Sequence, residues 1–213
     1  DRELYRKGID RIYDVFAFEE EFRTVDRGIA AWSESIAPFR GSSREFTRLW
    51  GEWLGRERPE YESLTSVCAK EKVPIFIPAL ADSSIGIGLL IARRRGFDID
   101  IDQIADADEI TTRVEEAKKS GVIYVGGGVP KNFIHQTQVI GSIHEKELGG
   151  HAYAIQYTTD SPQWGGLSGC TFEEAISWGK ESATSRQVQV HVDATIALPI
   201  VISALIASGA ERV

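Results

Sequence analysis

Lys180 closes the stretch Glu174-Ala175-Ile176-Ser177-Trp178-Gly179-Lys180, downstream of the triple glycine Gly126-Gly127-Gly128. An aromatic wall such as Trp178, two residues before the lysine, desolvates an ammonium, lowers its pKa and frees the neutral amine as a nucleophile. Without that wall, a lysine where a helix ends complements the helix dipole. Glu174, four residues before Trp178, falls near the same face of the helix and suits a cationic amine. The glycines allow a ligand close to the backbone, and Pro130 fits the first turn of a helix whose N-terminus favours anions. The run is not the GxGxxG fingerprint, so a nucleotide turn and a plain tight turn both stay open. Lys131, next in that helix, reads as a solvent-exposed lysine in preference to a phosphate ligand. The combination points to redox chemistry joined to amine chemistry.

Hydrophobic periodicity supplies the elements that must position these groups. Over residues 1–70 the chain reads mainly as helix: Phe22, Val25, Ile29, Trp32 and Ile36 recur every three or four residues, and Phe46, Leu49 and Trp53 continue after the Gly41-Ser42-Ser43 break, with Ser43 as a cap before Glu45. Residues 73–213 alternate short apolar strands with helices. Strands are predicted at 73–77, 98–101, 122–125, 152–157 and 188–192, and helices at 84–94, 105–120, 130–140, 171–179 and 195–207. Such alternation predicts one α/β domain over 1–213, a Rossmann-like doubly wound parallel sheet with helices on both faces. Ligands of such sheets bind beyond the carboxyl ends of the strands. Asp82, the glycines, residues 158–160 and Asp193 all fall there, and four strand ends are expected to share one rim.

The chain has 213 residues, and 24 basic against 32 acidic side chains give a net charge of -8. That balance disfavours nonspecific binding to nucleic acid or anionic membranes and suits a cationic substrate. No apolar run is long enough to span a bilayer and the first residues lack a signal-peptide core, so a soluble, cytosolic protein is expected. Cys68 and Cys170 are expected to be reduced structural thiols. The chain begins at Asp1 and contains no methionine, which suggests a fragment or a processed piece of a longer chain.

Two patterns resemble metal sites but lack the residues such sites need. Asp98, Asp100, Asp102, Asp106 and Glu109 have EF-hand-like spacing, yet Gln103 stands where the loop needs glycine. His144 and His151 are separated by Gly149-Gly150, unlike the i, i+4 pair of a zincin, and His135 and His191 are isolated in sequence. No metal is expected.

Several ordered segments resemble the deoxyhypusine synthases and their deoxyhypusine synthase-like relatives, most of all the archaeal and bacterial branch. They are Gly8 to Ile12, Pro78 to Gly86, Gly126 to Lys131, Gly169 with Glu174 to Lys180, and Val192 to Thr195. The resemblance implies an NAD-dependent transferase, usually a homotetramer with sites between subunits. It would move the aminobutyl group of spermidine through an imine on Lys180 to a lysine of translation initiation factor five-A. It places Asp82, Gly127, Thr159, Asp160, Asp193 and Ala194 at NAD positions. Asn132, Gly165, Gly166, Glu174 and Trp178 fall at substrate positions.

Departures from the family pattern are equally specific. The family's pocket histidine aligns with Asn132, which is no base near neutral pH. Two acidic amine-binding positions align with Ile87 and Leu167. These changes suggest a polyamine synthase with putrescine as acceptor as the alternative. The family's N-terminal part, which contacts NAD and polyamine, has no counterpart in the sequence. This leaves open an assembly with a separate N-terminal piece or a non-catalytic activating subunit.

Overall fold

In a computed structural model, residues 1–12, 14–146 and 148–209 are described. They form two compact units, Asp1–Asp106 and, from Ala107 onward, the remainder. The boundary lies within a helix, well past the change of hydrophobic period near Val73.

The first unit opens with α1 (Arg2–Arg6) and an antiparallel hairpin of β1 (Ile9–Ile12) and β2 (Val15–Phe18), in which Ile9 faces Phe18. Helix α2 (Glu19–Ile36) follows, burying Ile29, Ala30 and Trp32 on one stripe. Next come β3 (Phe39–Gly41), α3 (Ser43–Glu57), α4 (Leu64–Lys70), α5 (Ser84–Arg94), β4 (Ile99–Ile101) and the start of α6 (Gln103–Glu116). Strands β3 and β4 pair in parallel. Trp32, Phe39, Phe46, Leu89, Ala92 and Ile99 form the core, with the Trp32 and Phe46 rings edge-on at 5.0 Å. Edge-on aromatic pairs add to the stabilisation that burial of their area provides.

Two expectations need correction here. Residues 73–77 are not a strand, because their backbone groups bond to side chains of α3: the Ile77 N–H donates to Ser43 Oγ (2.8 Å), and Thr47 Oγ1 donates to the Ile75 carbonyl (2.9 Å). The α3 cap is Ser42, whose Oγ accepts the Glu45 N–H at 3.1 Å, while Ser43 is the first helical residue. The acids of the EF-hand-like run have separate structural duties. Asp102 accepts the N–H groups of Ile104 and Ala105 at the start of α6, and the buried Asp106 accepts those of Ser43 and Arg44 at the start of α3. Carboxylates at helix N-termini satisfy backbone donors that have no partner within the helix.

The second unit is a parallel sheet in the order β5 (Gly121–Val125), β6 (His151–Thr158), β7 (Glu181–His191). It contains α7 (Gly128–Ile143) between β5 and β6, α8 (Phe172–Ser177) between β6 and β7, and α9 (Ala194–Ala207) after β7. The fold is therefore α/β with parallel strands, of the Rossmann-like kind. Strand β6 is the central one and mostly buried, and Tyr124, Ala154 and Phe172 form the core around it. Helix α9 is mostly apolar and carries no charged side chain, yet buries none of its residues. No helix among the described residues is long and apolar enough to cross a membrane.

The rim predicted from four strand ends contains three, those of β5, β6 and β7. Asp82 lies in the first unit, exposed, in the 3-10 turn Leu80–Asp82.

Candidate active site

Helix α8 ends at Trp178 in a turn that fixes the backbone of Lys180. The Gly179 N–H donates to the Ile176 carbonyl (2.9 Å) and the Lys180 N–H to the Ala175 carbonyl (3.0 Å). This double closure needs a left-handed residue at the first position past the cap, and Gly179 adopts φ +68°. Lys180 thus lies in the connection between α8 and β7, past the helix end. Its Nζ donates to Asn132 Oδ1 of α7 at 3.1 Å and stands 5.8 Å from the centre of the Trp178 ring. Trp178 is 69% exposed, so its indole does not enclose the ammonium as the sequence suggested.

A cavity of about 250 Å³ surrounds this lysine. It brings together Asn132, Gly165, Gly166, Glu174 and Trp178, all the residues placed at substrate positions by sequence, and adds Lys131, His135, Leu167 and Cys170. A carboxylate, an indole face and hydrogen-bonding groups around an aliphatic-sized space are complementary to a short amine.

Below the cavity lies a polar layer that sequence reasoning missed. Lys131, expected at the surface, is 2% exposed. Its Nζ donates to Gln156 Oε1 (2.9 Å) and to the Cys170 carbonyl (2.7 Å), and lies 5.4 Å from the centre of the Tyr124 ring. Burial holds its pKa below the ordinary lysine value, while Cys170, Glu181 and Glu174 oppose that shift. Gln156, wholly buried on β6, uses both amide donors, giving to the Gly126 carbonyl (2.7 Å) and the Ser168 carbonyl (2.9 Å). Its oxygen also accepts from Gln189 Nε2 at 3.0 Å. One side chain thereby ties the glycine turn and the 165–170 loop to the central strand. Burial pushes the Cys170 thiol up.

Beside this layer Tyr124 and His135 converge on Glu181. The Tyr124 hydroxyl donates to Glu181 Oε1 at 3.0 Å, and His135 Nε2 lies 3.3 Å from the same oxygen. Burial, with Glu181 adding to it, raises the Tyr124 hydroxyl far above its ordinary value, so it remains a donor. The legible signals were a glutamate directly after the lysine, a glutamine in an otherwise buried strand, and Lys131 and His135 one turn apart on α7.

A second cleft, about 430 Å³, opens at the carboxyl ends of β5, β6 and β7. Thr159, Asp160, Asp193 and Ala194 line it, with Gly126 and Ser168. Asp193 caps α9 by accepting from the Thr195 N–H (2.8 Å) and hydroxyl (2.6 Å), which hold its carboxyl below the ordinary value. Gly127 opens α7, and a β-carbon there would stand 2.6 Å from Ser168 Cα. Two carboxylates for hydroxyl groups and a glycine backbone free of side chains fit a nicotinamide dinucleotide at the strand ends. Among the described residues, no group of three or more His, Cys, Asp or Glu side chains could hold a metal ion.

The second unit thus pairs a strand-end cleft with a lysine-centred cavity on a parallel α/β sheet. The chain belongs to the deoxyhypusine synthase family, a family of transferases: the family profile matches residues 1–205. It is 60% identical over 205 residues to "Probable deoxyhypusine synthase 2" of Methanosarcina acetivorans, covering 96% of this chain and 59% of that protein. A "Probable deoxyhypusine synthase 2" of Archaeoglobus fulgidus is 52% identical over 209 residues, 97% of this chain and 67% of that one. The "Deoxyhypusine synthase-like protein" of Coxiella burnetii is 39% identical over 207 residues, 95% and 58% of the two chains. The chain therefore spans 59% of the length of the Methanosarcina relative it matches.

Proposed function

We propose that this protein transfers the aminobutyl group of spermidine, by way of an imine on Lys180, to a lysine of translation initiation factor five-A in an NAD-dependent reaction. The observation that carries this reading is the shared wall between the two recesses. The 165–170 loop gives Leu167 and Cys170 to the lysine cavity and Ser168 to the strand-end cleft. NAD, when bound, supplies the hydride acceptor and later the hydride.

The chain's own residues do the rest. Asp160 and Asp193 would bind hydroxyl groups of the dinucleotide, with Thr159 and Ala194 beside them, and Gly127 would let its backbone approach. Glu174 and Trp178 would hold the ammonium groups and aliphatic stem of the polyamine. Gly165 and Gly166 leave room along the pocket wall. Asn132 orients the Lys180 amine through its 3.1 Å hydrogen bond. Asp82 belongs to the same proposed NAD set, in the first unit. An assembly of copies, as in a homotetramer, belongs to the same reading.

Intact mass spectrometry tests it. After incubation with NAD and spermidine and quenching with borohydride, the protein gains a butylamine-sized adduct that maps to Lys180. Lys180→Arg abolishes the adduct while NAD binding persists. A wild-type protein that binds NAD and acquires no adduct overturns the proposal, and so does protein transfer by the Lys180→Arg variant.

A further inference from the structure

The lysine cavity holds a nucleophile whose ammonium must lose a proton before it can attack, and Asn132, its hydrogen-bond partner, cannot take one. We infer that His135, oriented by the buried carboxylate of Glu181, is the proton acceptor for the Lys180 amine. The inference deepens the transferase reading by naming a residue for a step that reading requires, and it stands on the cavity's geometry.

His135 lies on α7 one turn beyond Asn132, and both line the cavity with Lys180. Its side chain is otherwise buried, and its Nε2 faces Glu181 Oε1 at 3.3 Å. A carboxylate only accepts, so Nε2 carries the hydrogen and Nδ1 keeps the lone pair. Nδ1 is then the basic nitrogen of a residue that lines the cavity. Glu181 is wholly buried and its Oε2 has no partner among the described residues, while Oε1 already accepts from Tyr124. A buried carboxylate in that state gains most from a cation beside it, which is what His135 becomes on taking a proton. The arrangement uses a carboxylate to fix the imidazole and stabilise its charged form.

The other titratable groups facing His135 set the direction of the transfer. Tyr124 on β5 packs edge-on against the imidazole at 5.3 Å and stays protonated. His151 on β6 is held neutral by burial and adds no charge, while the Lys131 ammonium, one turn earlier on α7, opposes a second charge here. Glu181 on β7 favours it. Glu174 on α8 is solvent-exposed and serves as an anchor for ammonium groups. The step is balanced: the Lys180 ammonium gives one proton to His135, directly or through a water, the free amine adds to a carbonyl or iminium carbon, and the proton returns to the departing water or amine.

The test needs neither NAD nor polyamine, so its outcome is separable from that of the transferase reading. The protein is alkylated with butanal and cyanoborohydride across a pH series, and Lys180 labelling is read by peptide mass spectrometry against the exposed Lys118 and Lys119. The aldehyde and amine condense with loss of water, and cyanoborohydride reduces the imine. In wild type, Lys180 is labelled near neutrality well ahead of the two reference lysines. His135→Gln loses on the order of a hundredfold in Lys180 labelling near neutral pH, the scale of general base catalysis. It converges with wild type where lysine deprotonates unaided. Glu181→Gln, which keeps an acceptor for Tyr124, shifts the wild-type profile in the same direction and carries the comparison if His135→Gln does not fold. A uniform loss at every pH, or an unchanged profile in a folded variant, overturns the assignment.

Discussion

Lys131 and Gln156 meet beneath the candidate site, with the ammonium Nζ 2.9 Å from the amide Oε1 and no water-facing surface on Gln156. The contact joins α7 to β6. Because Gln156 also holds the Gly126 and Ser168 carbonyls, it makes the positions of two loops depend on one buried amide.

Replacing Gln156 by Leu leaves those two carbonyls and the Lys131 ammonium short of partners. Buried groups stripped of hydrogen bonds cost about 1–3 kcal/mol each, more when charged. The variant is expected to lose about 3–5 kcal/mol, the range for breaking a buried charged contact, read as a lowered midpoint in urea denaturation.

Gly127→Ala tests the strand-end cleft. The obstacle there is steric: the new methyl would stand 2.6 Å from Ser168 Cα. The glycine turn must move away from the 165–170 loop. On the NAD-dependent reading proposed above, a loss of about tenfold in NAD affinity, or 1.4 kcal/mol, is expected by calorimetry, with the circular dichroism of the fold retained.

Gly179→Ala acts on the backbone of Lys180 without touching its side chain. At φ +68° a β-carbon costs roughly 1–2 kcal/mol. The melting temperature should fall by several degrees, the shift such a change produces in a small domain. Borohydride-trapped adduct should fall with it, because the turn that aims the lysine is weakened.

Acid stability should carry the mark of His151. This imidazole is buried, its Nδ1 lies 2.8 Å from Ser120 Oγ, and burial holds its pKa below the ordinary 6.5. Between the lowered folded value and 6.5 the unfolded chain binds the proton and the folded chain does not, so stability rises with pH across that window. As pH falls below 6.5, wild type is expected to lose stability more steeply than His151→Gln. Denaturant titrations at a series of pH values give the two slopes.

Much of the second unit was legible because its signals are local. Apolar strands bounded by glycine and helices with a 3.6-residue period located β5, β6 and α7 to within a few residues, and in the first unit α5 matched its predicted span. The residues that the family resemblance set at substrate positions line one cavity with Lys180. What stayed hidden depends on partners distant in sequence. Residues 73–77 have the composition of a strand, yet the hydroxyls of Ser43 and Thr47 satisfy two of their backbone groups. Lys131 has the look of a surface lysine until Gln156 and the Cys170 carbonyl, far along the chain, receive its ammonium. The isolation of His135 in sequence says nothing of Glu181, which sits 46 positions away. β7 extends back to Glu181, beyond the apolar stretch, because pairing with β6 carries polar residues into the ladder.

The turn at Gly179 fixes the root of Lys180 and leaves a four-carbon arm beyond it. A group carried on such an arm is tethered cargo: it cannot diffuse away between one half of a reaction and the next. Its local supply is an effective molarity, which for well-aligned partners reaches about 10⁵ M or more, so onward transfer depends on the reach and alignment of the incoming acceptor, whatever the concentration of free donor in solution.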